Sequence, residues 1–136
     1  MNQELYTLSF IHSNISNPVE QSEHTKITRR KVNCFNKYDG PLELRAMGPH
    51  MHTLSIASNA ALTKTDGTES CLMDVPYYDF NWQRVYTHSE PILMQPDDMF
   101  ELSCIFDSSD QTSTTYWGNG TGDEMCLMTV FASVPR

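Results

Sequence analysis

Positive charge is scarce in this sequence. Its 136 residues include 9 lysines and arginines against 17 aspartates and glutamates, which gives a formal net charge of −8. From Asp66 onward there are twelve acidic residues and only two basic ones, Arg84 and Arg136. A nucleic-acid backbone is recognised by clustered positive charge, and the one basic cluster, from Lys26 to Lys31, is short and fits a solvated strand face. The composition therefore argues against nucleic acid as a partner.

Long apolar runs are also missing. No stretch approaches the length of a membrane-spanning helix, and residues 1–12 lack the basic start and continuous apolar core of a signal peptide. Either a signal segment was removed ahead of Met1 or the protein is cytosolic, and we favour the first. The sequence contains no Ser/His/Asp triad, phosphate-binding loop or dinucleotide fingerprint.

The four cysteines include no Cys-x-x-Cys pair, which argues against a zinc ribbon. An even number of cysteines in a chain of this size indicates either two disulfides or a metal site. Two glycosylation sequons, at Asn14 and Asn119, add weak support for secretion. Together these observations favour a secreted protein, extracellular or periplasmic, from an oxidising compartment.

Short strands are the main secondary-structure signal. Every second residue from Phe100 to Phe106 is apolar, whereas Glu101 and Ser103 lie on the other face, as in a half-buried strand. Helical periodicity is scarce, and clusters of Asp, Asn, Gly and Pro separate the runs. We therefore predict an all-β fold, an antiparallel β-sandwich in a single domain spanning residues 1–136. The other predicted strands cover residues 5–11, 27–35, 50–57, 80–86 and 124–134.

His50-Met51-His52 is the sharpest local feature. On a strand, residues two apart point to the same face, so the two imidazoles stand side by side and Met51 points away. Such a pair can hold one transition metal, although it is more often a surface coincidence or two satisfied polar residues. Met125 is either a flexible core filler or a thioether ligand. Two imidazoles and a thioether would form a copper site that can change oxidation state.

In combination these pieces resemble the C-terminal domain of the copper type II, ascorbate-dependent monooxygenases, a family that includes peptidylglycine α-hydroxylating monooxygenase and dopamine β-monooxygenase. The resemblance covers about residues 30–134, and the matching segments occur in the family's order. No single segment is specific, but the combination is. The segments are His50-Met51-His52, Tyr78-Asp79-Phe80-Asn81-Trp82-Gln83, Pro96-Asp97-Asp98 followed by Phe100–Phe106, and Gly120–Cys126.

The resemblance implies a jelly-roll-like sandwich in which His50, His52 and Met125 are the protein ligands of one oxygen-binding copper and form the catalytic site. It implies ascorbate as the electron donor and dioxygen as a partner. It also implies hydroxylation of an unactivated C–H bond in an unknown small-molecule or peptide substrate.

The same resemblance bears on the cysteines. Cys104 and Cys126 fall on a family disulfide, next to the methionine ligand, and we expect them to be bridged. Cys34 falls on a family cysteine whose usual partner lies beyond this chain. Cys71 has no counterpart, and we predict that it pairs with Cys34.

Two departures bear on substrate and electron supply. Peptide-amidating members hold the peptide carboxylate with an arginine two residues before the first histidine, and with an asparagine and a tyrosine two and four residues after the methionine. Gly48, Leu127 and Thr129 occupy these positions, which argues against a peptidylglycine substrate. The family's electron-storing copper is bound by three histidines in a separate upstream domain. Only 49 residues precede the paired histidines and they contain only His12 and His24, so we expect that domain not to fit here.

Five further residues are candidates for lesser roles. His88 either approaches the metal or lies on the surface, and the surface is favoured. Asp123 and Glu124 either orient the imidazole N–H groups or lie in a solvated loop. Tyr116 and Trp117 either line a substrate cleft or belong to the core or its rim, which is favoured. We predict the oxygen-activating domain of a copper monooxygenase. The alternatives are a non-enzymatic copper-binding or copper-carrying module, and a sandwich with a degenerate site.

Overall fold

All regular structure in the described chain is β-strand. The structure, a computed structural model, describes residues 5–10, 27–35, 38–113 and 115–135, so His12, His24 and the Asn14 sequon lie outside the described residues. Within that part of the chain, no helix has the length and apolarity that a membrane crossing requires. The strands are β1 (Leu5–Phe10), β2 (Ile27–Phe35), β3 (Leu42–Met51), β4 (Ser55–Thr63), β5 (Glu69–Val75), β6 (Tyr86–Met94), β7 (Met99–Asp107) and β8 (Cys126–Ser133).

The strands form two four-stranded sheets in which every pairing is antiparallel. One sheet has the order β1-β8-β3-β6 and the other β2-β7-β4-β5. This is the strand order of an eight-stranded jelly roll, in which two sheets are packed face to face. The predicted all-β, jelly-roll-like sandwich is therefore confirmed. The central strands of the first sheet, β3 and β8, carry His50 and the residues that follow Met125.

The core lies between the two sheets, and its described residues come from the inward sides of β3 to β8. Phe100, Leu102 and Phe106 of β7 are buried against Met128 and Val130 of β8 and their neighbours. The period-two pattern predicted for β7 is present, because the residues at 99, 101, 105 and 107 are only half-buried. Each large apolar side chain that is fully buried contributes roughly 1.5–3 kcal/mol relative to exposure.

A β-bulge in β3 changes which residues face the core. Leu42 and Leu44 are buried at even-numbered positions, but beyond the bulge the buried large side chains are Met47 and Met51. The register shifts between Leu44 and Ala46 on both sides of the strand. Because one extra residue reverses the alternation, the even-numbered positions after the bulge, which include His50, face outward.

The predicted strands agree with the structure in four places and fail in two. The segment 27–35 coincides with β2, and the segments 5–11, 100–106 and 124–134 match β1, β7 and β8 to within one or two residues. The strand predicted at 50–57 is wrong, because β3 ends at Met51 and a turn closed by Ser55 N–H and the His52 carbonyl precedes β4. The strand predicted at 80–86 is also wrong. A turn at Asp79, whose carbonyl accepts a hydrogen bond from Trp82 N–H, makes this segment a loop.

The disulfide between Cys104 and Cys126 is confirmed, with a Cα–Cα distance of 5.8 Å. It joins β7 to β8, which belong to different sheets. The bridge therefore crosses the core and ties the two layers together beside Met125.

The predicted Cys34–Cys71 bridge is wrong, because Cys71 is a free and exposed thiol. The strand order explains why. β2 and β5 lie at opposite edges of one sheet, separated by β7 and β4. Three strand spacings of about 4.8 Å place their backbones roughly 14 Å apart, whereas the Cα atoms of a disulfide lie roughly 4.4–6.8 Å apart.

Candidate metal centre

Two imidazoles stand together where β3 ends. The ring centroids of His50 and His52 are 5.4 Å apart and the ring planes are nearly perpendicular, at 85°. Met51 between them is fully buried in the core, as the alternation along the strand predicts. His52 lies one residue beyond the end of β3 and is buried, whereas His50 is half-buried. The sequence-predicted pair is thus on one face of the sheet.

Gln83 sets the orientation of the His50 ring. The amide nitrogen of Gln83 donates to the carbonyl of Phe80 at 3.0 Å, which leaves its amide oxygen facing Nδ1 of His50 at 2.7 Å. An amide oxygen can only accept, so Nδ1 of His50 donates this hydrogen bond. In the neutral ring the free lone pair then lies on Nε2, the atom that can bind a metal.

A backbone carbonyl favours the same tautomer of His52, with the hydrogen on Nδ1. Its Nδ1 lies 2.9 Å from the carbonyl oxygen of Asp123, and because a carbonyl only accepts, Nδ1 is the donor. The Phe80 ring packs edge-on against the imidazole with centroids 5.8 Å apart. Both histidines therefore use Nδ1 for a hydrogen bond within the protein and keep Nε2 for an outside ligand.

The carboxylate of Glu124 is buried beneath the two segments that carry His52 and Met125. One oxygen, Oε1, accepts hydrogen bonds from the backbone N–H groups of His52 and Met125 and from the Ser55 hydroxyl. The other, Oε2, accepts from Leu54 N–H at 2.9 Å. The two acidic residues act differently from the prediction. Asp123 meets the imidazole through its main-chain carbonyl, and Glu124 meets main-chain N–H groups.

Met125 lies beside His52 in the strand register. The last pair of the β3–β8 ladder joins Met51 to Cys126. Because the two strands are antiparallel, the residues just beyond this pair are His52 after β3 and Met125 before β8. The Met125 side chain is 7% exposed. Cys126, on the opposite face, forms the disulfide, so Met125 lies on the outer face of the sheet with the histidines.

A cleft of about 380 Å³ opens beside His50. At Gly48, an added Cβ would lie 3.3 Å from both the Arg84 carbonyl oxygen and Cγ2 of Val85. The missing side chain therefore lets the loop before β6 lie close against β3. In that loop the Arg84 guanidinium stacks on the Trp82 ring, 4.9 Å from its centroid. The cleft is lined by Gly48, Pro49, His50, Gln83, Arg84, Val85, Thr129 and Phe131.

The remaining candidates lie away from the imidazoles or at the rim. His88 is on β6, and its neighbour Thr87 pairs with Ala46, four residues from His50, which is roughly 13 Å along a strand. The alternative that His88 approaches the metal is therefore not supported, and the favoured surface position is met only in part, because His88 is half-buried on β6. Tyr116 is exposed and Trp117 is half-buried, and neither lines the cleft beside His50.

Tyr78 is a residue whose role the sequence did not reveal. Its hydroxyl accepts from Met51 N–H at 3.1 Å and donates to the Met51 carbonyl at 2.9 Å, so it closes the edge of β3 between the two histidines. Burial raises the pKa of the Tyr78 phenol, the hydrogen bond with Met51 opposes this, and the Glu124 and Asp79 carboxylates raise it further. The sequence signal for Tyr78 was its place in the segment Tyr78–Gln83, which resembles the family. That signal did not indicate a contact with the Met51 backbone.

Among the described residues, no three His, Cys, Asp or Glu side chains form a group that could hold a metal. Any third ligand that the described residues supply beside His50 and His52 would be of another type, such as a thioether or a backbone group.

The comparisons with known proteins come from sequence and from structure. Over 89 residues the chain is 27% identical to dopamine beta-hydroxylase of Canis lupus familiaris, and this match covers 64% of the chain but 14% of the relative. The chain thus spans about one seventh of the length of that relative. A solved structure of infectious bursal disease virus, Gx strain, covers 97% of this chain and 31% of its own, at 12% identity and a TM-score of 0.35, which is too low to carry an argument. Residues 8–131 match the family model described as copper type II ascorbate-dependent monooxygenase, C-terminal domain, and the chain belongs to this family.

Proposed function

We propose that His50, His52 and Met125 hold one copper ion and that the chain is the oxygen-activating domain of a copper- and ascorbate-dependent monooxygenase that hydroxylates C–H bonds. The observation that carries the proposal is the matched hydrogen bonding of the two imidazoles. Gln83 and the Asp123 carbonyl engage Nδ1 of each ring. Both Nε2 lone pairs are therefore available on one face of the sheet, as a metal requires.

The donor set suits copper better than other common metals. Imidazole binds copper in both oxidation states, and a thioether selects the reduced one. Magnesium and calcium need oxygen ligands. Bound copper would supply a centre that accepts and passes on single electrons and binds dioxygen when reduced. Family membership supports copper and ascorbate chemistry in general.

The chain's own residues would orient the ligands and limit access to them. Gln83 and Asp123 fix the two rings, and Phe80 covers one side of His52. The cleft beside His50 is the open approach, and we propose that it admits the substrate, a small molecule or a peptide. A peptide ending in glycine is disfavoured, because Gly48, Leu127 and Thr129 stand at the positions of the family's carboxylate-binding residues. The loop carrying Arg84 covers Gly48 instead.

The proposal extends to partners and compartment. Dioxygen and ascorbate are the co-substrates, and a second copper domain, upstream in a longer protein, would supply the other electron. The Cys104–Cys126 disulfide supports an oxidising location, extracellular or periplasmic, because such bridges persist there. We propose that residues 1–136 act as one domain in this setting.

The test is a comparison of copper(I) and copper(II) affinities in ligand variants. Met125→Ala is expected to lower the copper(I) affinity by about tenfold or more and to leave most copper(II) binding, because thioethers prefer the softer ion. His50→Ala is expected to weaken both.

Met128→Ala is the matched control for the methionine variant. It truncates the same type of side chain three residues further along, on the core face of β8, where Met128 is fully buried. It is expected to cost stability, roughly 2–5 kcal/mol, and to leave both copper affinities unchanged. Unchanged copper(I) binding in Met125→Ala would reduce Met125 to a packing residue and refute the ligand set.

A further inference from the structure

The backbone ladder that aligns β3 with β8 ends just before the proposed ligands. Its last pair is Met51 with Cys126. On the other side of β3, the N–H and carbonyl of Met51 are both taken by the Tyr78 hydroxyl. His52 and Met125 therefore lie beyond the point where the pairing of main-chain groups fixes the distance between the two strands.

The Glu124 carboxylate occupies the place where that ladder would continue. The same carboxylate oxygen accepts hydrogen bonds from His52 N–H, just after β3, and from Met125 N–H, just before β8. Leu54 N–H and the Ser55 hydroxyl bind it as well. One side chain thus collects four donors from the β3–β4 turn and from the residue preceding β8.

Burial of this carboxylate is not explained by an ion pair. Glu124 is 3% exposed, and within the described part of the chain no lysine or arginine forms a salt bridge with it. A buried charge is unfavourable unless hydrogen bonds compensate for the lost water. The four donors provide that compensation, and they come from the two segments whose spacing matters for a metal site.

We propose that Glu124 is a positioning residue. Its carboxylate, which accepts four hydrogen bonds, holds the His52 and Met125 segments at the spacing that lets an imidazole and a thioether bind one copper(I) ion together. This inference rests on the proposed copper site and adds that the sulfur ligand depends on a residue that does not touch the metal. Replacing one carboxylate oxygen by an NH₂ group would turn a donor towards N–H donors, either those of His52 and Met125 or that of Leu54, and the contact that spaces the two segments would be lost or displaced.

The test is copper(I) X-ray absorption together with copper(I) and copper(II) affinities, measured for the wild-type chain, Glu124→Gln and a control. The control is Asp98→Asn. Asp98 is also a buried carboxylate, and it accepts main-chain N–H bonds from Gln95 and Thr65 in the turn between β6 and β7, apart from the site. Both variants replace one oxygen of a buried carboxyl group by an NH₂ group with little change of shape, so the chemical change is the same at the two positions.

In Glu124→Gln we expect the copper–sulfur signal to weaken or disappear and the copper(I) affinity to fall roughly 10–100-fold, the range seen for residues that orient ligands. Copper(II) affinity should change much less, because both imidazoles remain. Asp98→Asn should retain the wild-type sulfur signal and affinities. Equal sulfur signals in wild type and Glu124→Gln, or the same loss in Asp98→Asn, would overturn the positioning role.

Two further readouts keep the outcomes distinct. A wild-type chain that binds copper(I) without a sulfur ligand would refute the proposed ligand set itself, and the positioning role with it. If Glu124→Gln does not fold, amide hydrogen exchange in the metal-free wild-type chain decides the question. The amides of His52, Leu54 and Met125 should be protected although they lie outside the strand ladder, and rapid exchange at these amides would overturn the inference.

Discussion

Removing the disulfide between the sheets should cost a large part of the protein's stability. The bridge joins residues with a sequence separation of 22, and in the chain-entropy model closing a loop of that length contributes about 3 kcal/mol. Both cysteines are fully buried, so Cys104→Ala with Cys126→Ala also removes packed volume. The expected loss in the free energy of unfolding is roughly 3–5 kcal/mol.

The assay is urea unfolding of the double variant and of the wild-type chain without reductant. Cys71→Ala is the matched control, because it removes a free and exposed thiol and should change the free energy of unfolding by no more than about 0.5 kcal/mol. Peptide mapping under non-reducing conditions should recover Cys104 and Cys126 linked and Cys71 open to alkylation. A loss below about 1 kcal/mol in the double variant, or free thiols at both bridge positions, would refute the reasoning.

Three further predictions concern the cleft, the half-buried phenol of Tyr78 and the reaction with oxygen. Gly48→Ala places a Cβ 3.3 Å from the Arg84 carbonyl and Val85, and this overpacking should lower the stability measured by thermal unfolding by roughly 1–3 kcal/mol. Gly122→Ala is the control, because its Cβ would meet nothing within 4 Å, and its effect should be far smaller. Equal losses in the two variants would contradict the close approach at Gly48. The raised pKa of Tyr78 means that the folded state holds the phenol proton more tightly than the unfolded one. The free energy of unfolding should therefore fall as pH rises above the unfolded value of 10.0, more steeply in the wild-type chain than in Tyr78→Phe, and identical slopes would contradict this. The copper-loaded chain with ascorbate is expected to convert dioxygen to hydrogen peroxide, with two electrons and two protons from each ascorbate, and to leave peptides ending in glycine unmodified; stoichiometric hydroxylated peptide by mass spectrometry would refute this.

The fold could be predicted where a strand has one face in the core and the other in water. In β7 the alternation from Phe100 to Phe106 reports burial directly. The prediction of strands failed where the pattern of buried residues does not follow a regular period in the sequence. The bulge between Leu44 and Ala46 interrupts the period of β3, and β6 is mostly exposed and contains Pro91, as an edge strand tolerates.

The apolar and aromatic residues at 80–86 misled for a different reason. They indicated a strand because aromatic residues are frequent in sheets. In the structure Phe80 packs on His52, Gln83 binds His50 and Trp82 is exposed beside Arg84. These side chains serve the site and the surface of the loop, and composition alone does not separate such uses from a core strand.

The imidazole pair could be predicted from the spacing along the strand, since His50 and His52 share a face wherever the chain is extended. The residues that orient the rings could not. Gln83 and Asp123 are 33 and 71 residues away from the rings they contact. Contacts over such separations depend on how the two sheets and their loops are arranged. The Cys34–Cys71 pairing failed for the same reason, because counting cysteines contains no information on which edge of the sheet each one occupies.

The bulge in β3 has a consequence for how this site can be gained or lost. Up to Leu44 the strand buries its even-numbered residues, and beyond Ala46 it buries the odd-numbered ones. A regular alternation running on from Leu44 through Arg45, without the bulge, would turn His50 towards the interior and Met51 towards water, although neither side chain had changed. Deleting the single residue Arg45 would instead remove the extra residue and leave both halves in one alternation, with Met51 still inward and His50 still outward. In this strand the way one extra residue is accommodated, five positions upstream, is therefore as consequential for the proposed metal site as the identity of a histidine.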